Sequence, residues 1–79
     1  MKPIQFAENL KLLMKENELT QVKLASALGF SQSAVSAWLL GKKEPSITSL
    51  WLLADYFDLT IDELIGRKNF YRFYEKVDK

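Results

Sequence analysis

LTQVKLASALGFSQSAVSAWLLGKKEP, residues 19–45, packs two helix starts and one sharp change of direction into 27 residues. Thr20 and Ser31 each offer a side-chain oxygen to the orphan amides of a helix start, so one helix opens at residue 21 and another at residue 32. Gly29 suits the left-handed position after the first helix, and Pro45 blocks continuation after the second. Only Gly29, Phe30 and Ser31 join the two, and a link that short forces a steep angle. Small Ala25 permits close approach of the helices, while Val35 and Trp38 supply apolar anchors one turn apart.

Together these spacings are those of a helix-turn-helix, and the flanking sequence extends the motif into an all-α domain. Apolar residues recur at helical spacing at Phe6, Leu10 and Leu13, at Val22, Ala25 and Leu28, at Ala34, Val35 and Trp38, and at Ile47, Leu50, Trp51, Ala54 and Phe57. No strand alternation competes before residue 69. Ser46 and Thr60 repeat the capping signal, Thr60 with Glu63 fits a capping box, and Gly66 suits the end of the last helix. The pattern predicts five helices at about 4–17, 21–28, 32–40, 47–57 and 61–65. The expected organisation is a compact five-helix domain over 1–66 and a basic, aromatic C-terminal extension over 67–79.

Composition bounds the function. A chain of 79 residues is one domain, near the size where a single core just suffices. With 48% hydrophobic and 27% charged residues it belongs with globular rather than disordered chains. The absence of cysteine removes disulfides, thiolate chemistry and Cys-ligated zinc; the absence of histidine removes the commonest general base and metal ligand. No enzyme, metal or cofactor is expected, since acid pairs such as Asp55 and Asp58 sit among solvated charges with no nucleophile nearby. MKPIQFAENL lacks an apolar run of signal length and nothing approaches 18 consecutive apolar residues, so a cytoplasmic chain that enters no membrane is expected.

The net charge of +1 conceals an uneven distribution. Residues 20–43 carry Lys23, Lys42 and Lys43 with no acid, and residues 44–66 carry Glu44, Asp55, Asp58, Asp62 and Glu63 with no base. The extension is basic again, with five Lys or Arg against Glu75 and Asp78. Such polarity suits an oriented polyanion, although blocks of surface charge also serve solvation alone.

The 19–45 stretch resembles, over nearly its whole length, the helix-turn-helix of the lambda-repressor and Cro type, the XRE family. The resemblance runs from Phe6 to Gly66 and includes LTQ opening the second helix, GK and P after the third, and LTIDELIG as the short fifth helix. It implies a lambda-repressor-like fold and a repressor-like transcription factor that binds double-stranded operator DNA as a homodimer. A helical wheel of 32–40 puts Ala34, Val35, Trp38 and Leu39 on one arc, and Gln32, Ser33, Ser36, Ala37 and Leu40 on the other. In the resembling family, the positions matching Gln32, Ser33, Ser36 and Ala37 face base edges in the major groove. There Gln pairs with adenine, Ser donates or accepts, and an Ala methyl touches a thymine methyl. The family also implies phosphate contacts at Gln21, Lys42 and Lys43, with Thr20 and Lys23 beside them at the start of the second helix. Lys23 departs from the glutamate that many relatives carry there.

Three further departures bear on function. Many relatives pair a Glu at the position of Leu39 with an Arg at that of Met14, and carry a polar phosphate-contacting residue at that of Leu40. Exchanging both members of a buried ion pair for apolar residues is often neutral or stabilising, so Met14 and Leu39 are expected to touch. Leu40 either weakens the phosphate grip or covers the core edge, and is expected to add little to DNA binding. Leu52 and Tyr56, one turn apart and opposite Ile47, Leu50 and Ala54, are expected to be exposed in an isolated domain. In the extension, Phe70, Phe73 and Tyr74 share a helical stripe with Val77. Packing or self-association through Leu52, Tyr56, Phe70, Phe73 and Tyr74 is expected, with stacking on nucleic acid as the other use of the aromatics. These surfaces keep a second function open: an antitoxin-like partner binder that retains the helix-turn-helix mainly as scaffold.

Overall fold

The computed structural model describes residues 4–68, and those residues form five helices and no strand. They are α1 (Phe6–Glu16), α2 (Gln21–Leu28), α3 (Gln32–Leu39), α4 (Ile47–Phe57) and α5 (Ile61–Ile65). Phe70, Phe73 and Tyr74, with the rest of the extension from residue 69, lie outside the described residues.

The helix starts are where the side-chain oxygens are. Thr20, Ser31, Ser46 and Thr60 accept from the backbone amides of Lys23, Ala34, Ser49 and Glu63 at 3.0–3.1 Å. At α5 the box closes, because the Glu63 carboxylate accepts from the Thr60 amide at 2.9 Å. That reciprocal bonding accounts for a glutamate with only 2% of its surface exposed. α1 begins later than expected, at Phe6, and its N-cap Gln5 makes no side-chain cap bond. Instead the Gln5 amide donates to the Ile65 carbonyl at 2.9 Å, and the Asn9 side-chain amide donates to the carbonyls of Glu63 and Leu64. Both bring donors to carbonyls in the last turn of α5 and tie the first helix to the last.

Each helix contributes one fully buried anchor to the core: Leu10, Leu24, Val35, Leu53 and Leu64. Around them α3 packs on α1 and α2, and α5 on α1 and α4. Met14 is buried and Leu39 is partly buried against the same core, so both apolar replacements for the family's ion pair lie on the inner side. Trp38, at 5% exposure, stands edge-on to Phe6 and Phe30 with ring centroids 6.1 and 4.9 Å apart. It is the pin that sets the roll of α3 against its neighbours.

Three residues of the expected apolar stripes are not core. Val22, Ile47 and Trp51 are exposed, and the buried arc of α4 is made by Leu53 and Ala54 with Leu50 and Phe57 partly covered. Eight of the eleven positions of α4 are apolar, so polarity marks no single face of it. Contact with α5 chooses the face instead.

Candidate nucleic-acid interface

The outward face of α3 follows from what pins its inner face. Val35 and Trp38 are buried, which turns Gln32 and Ser33 to solvent and leaves Ser36 and Ala37 partly covered. The Ser31 hydroxyl accepts the Ala34 amide at 3.0 Å and so fixes the first turn, which carries Gln32 and Ser33. At the other end Gly41 takes φ +73°. The Gly41 amide then donates to the Trp38 carbonyl at 3.1 Å, and the Lys42 amide to the Ala37 carbonyl at 2.9 Å. This is a Schellman closure, and it folds the basic turn back against the helix.

The result is an open concavity of about 400 Å³ lined by Gln21, Gln32, Ser33, Ser36, Ala37, Leu40 and Lys42. All four residues expected to read bases meet there. Of those expected to hold phosphates, Gln21 arrives from the first turn of α2 and Lys42 from the turn after α3. Thr20, Lys23 and Lys43 are outside the lining although all three are exposed. The Thr20 oxygen is engaged by the Lys23 amide. The lining thus offers amides, hydroxyls and one ammonium, and no carboxylate. That set suits an anionic partner rich in hydrogen-bonding edges.

Leu40 is the member sequence reasoning set aside. It caps the end of α3 with 64% of its surface exposed, so it does not cover the core edge. A wheel places it on the outer arc, but only the closure at Gly41 brings it beside Lys42. On α4, Leu52 and Tyr56 are exposed as expected, joined by Trp51 at 66% exposure. Trp51, Leu52 and Asp55 line a second, smaller hollow of about 170 Å³. Among the described residues no group of three or more His, Cys, Asp or Glu is arranged to hold a metal ion, and no helix is long and apolar enough to cross a membrane.

Comparison with known proteins bears on this arrangement. A family pattern described as helix-turn-helix matches residues 10–64. The HTH-type transcriptional activator BcrR of Enterococcus faecalis is 40% identical over 63 residues, 80% of this chain and 31% of that protein. The uncharacterized HTH-type transcriptional regulator YqaE of Bacillus subtilis is 35% identical over 75 residues, 94% of this chain and 65% of that protein. The chain therefore spans less than two thirds of either curated relative. The crystal structure of a transcriptional regulator from Listeria innocua superposes with a TM-score of 0.79 at 35% identity, covering 96% of this chain and 75% of that one.

Proposed function

The chain belongs to the XRE-type helix-turn-helix family, and from that premise we propose that it is a sequence-specific regulator of transcription, repressor-like, that inserts α3 into the major groove of double-stranded operator DNA. The observation that carries this reading is the acid-free concavity in which Gln32, Ser33, Ser36, Ala37, Gln21 and Lys42 converge. Gln32 is the only long hydrogen-bonding side chain on the outer face of α3, and it discriminates adenine. Ser33 and Ser36 add single hydrogen bonds, and Ala37 touches a thymine methyl. Lys42, Lys43 and Gln21 hold the sugar-phosphate backbone, with Thr20 and Lys23 at the start of α2 beside them. The task is binding rather than catalysis, and it is performed in the cytoplasm.

The regulator acts as a homodimer. Support comes from the exposed strip Trp51, Leu52 and Tyr56, which a second copy would remove from water. A two-fold dimer sets its recognition helices one DNA turn, about 34 Å, apart and so reads a palindrome. The partner-binding alternative is not favoured: the curated relatives are named as transcriptional regulators, and the concavity is polar.

Selection from a pool of random duplexes tests the reading. The retained sequences share a half-site. On it Gln32→Ala loses about 1–3 kcal/mol of discrimination at one base pair while leaving random-duplex binding nearly intact. Lys42→Ala weakens every sequence and lowers the salt slope by about 0.9 per lost phosphate contact. Equal losses on operator and random duplex from both variants would break this division of labour.

A further inference from the structure

The geometry points to Leu40 as a specificity-determining residue that recognises the C5-methyl group of a pyrimidine in the major groove. The inference rests on the DNA-binding reading and adds to it a residue that the family's pattern assigns to phosphate contact. Leu40 lines the same concavity as Gln32, Ser36, Ala37 and Lys42 with 64% of its surface exposed. Its backbone has little freedom to withdraw the side chain. The Leu40 amide donates to the Ser36 carbonyl at 3.0 Å, and the next residue, Gly41, is held left-handed by the closure onto Trp38 and Ala37.

An isobutyl group gains nothing from a phosphate or an amide edge. The major groove presents one apolar group on its base edges, the C5-methyl of thymine, which cytosine shares when methylated. Ala37 lies three residues before Leu40, so the two occupy one side of the helix and form a short apolar strip beside the Gln32 amide. Ala37 reaches one base pair; Leu40, longer and one turn further on, meets a methyl on a neighbouring pair.

The test uses the operator obtained from the random pool and the full chain. Each half-site thymine is replaced in turn by deoxyuridine, which removes only the methyl, and affinity is measured for the unaltered protein, Leu40→Ala and Leu40→Met. At one position the unaltered protein loses about fourfold, the effect of one buried methyl. Leu40→Ala shows no loss there, and Leu40→Met, with an apolar side chain of similar reach, retains it. Methylating each half-site cytosine at C5 separates the two sources of the group. A gain in affinity absent from Leu40→Ala assigns methylcytosine, and an effect confined to the uracil series assigns thymine. Enrichment of an operator with the same uracil profile for the unaltered protein and Leu40→Ala overturns the role of Leu40 alone, as a contact to deoxyribose would. If no duplex is enriched, the DNA-binding reading falls and this inference with it.

Discussion

α3 and α4 each bury one face against the core, yet what they leave in water is opposite in kind. The outer side of α3 is mostly small and polar, with Leu40 at its end, and Gln21 of α2 and Lys42 of the Gly41 turn complete a concavity over it. The outer side of α4 is apolar and carries Ile47 at 81% exposure together with Trp51. The contrast teaches that an exposed helix face is recognisable from sequence only where polarity marks it. Along α3 the change from Val35 and Trp38 to Gln32, Ser33 and Ser36 marks it plainly. Along α4, Leu, Trp, Ile and Phe surround the helix, and a choice made by periodicity alone centres the buried arc too near Ile47.

The widest test of the contrast compares two tryptophans. Trp38→Ala is expected to cost about 3–5 kcal/mol in chemical denaturation, because it leaves a cavity where Phe6 and Phe30 meet it. Trp51→Ala removes the same side chain from water and should change stability by no more than about 0.5 kcal/mol. Equal losses would mean that the outer side of α4 is core.

Next in size is Leu39→Glu, which puts a carboxylate at the partly buried edge of the core. A loss of about 1–3 kcal/mol is expected by thermal unfolding. Adding Met14→Arg, which restores the family's charge pair, should recover part of it. A double variant no more stable than the single one would separate these two positions in space.

Removing the caps sharpens the comparison further. Ser31→Ala and Ser46→Ala should each cost about 1 kcal/mol, since Ser31 loses the bond from the Ala34 amide and Ser46 loses the bond from the Ser49 amide together with the one its hydroxyl donates to the Ser49 hydroxyl. Only Ser31→Ala should also weaken operator binding, because its turn carries Gln32. The smallest effect on folding belongs to Trp51→Glu, within about 0.5 kcal/mol. Its readout is sedimentation: self-association of the unaltered chain should fall in the variant, while the base preference of Gln32 persists. An unchanged association constant would remove α4 from the dimer contact.

What the sequence settles by itself is local. Four helix starts follow from Thr20, Ser31, Ser46 and Thr60, because a side-chain oxygen at the N-cap acts within three residues and needs no tertiary partner. The capping box at Glu63 is legible for the same reason, and the helix-turn-helix and the outward set Gln32, Ser33, Ser36 and Ala37 are legible because link length and helical periodicity are also local. Tertiary structure decided the rest. Gln5 and Asn9 bond to the carbonyls of Glu63, Leu64 and Ile65 across more than fifty residues, a pairing no local pattern signals. The roll of α4, which exposes Ile47 and Trp51 and buries Leu53, is chosen by packing on α5, since apolar residues on every side leave the helix no preferred face of its own. The wheel already places Leu40 on the outer arc; that Lys42 stands beside it follows from a left-handed Gly41 folding the turn back on the helix, and that geometry lies in the backbone.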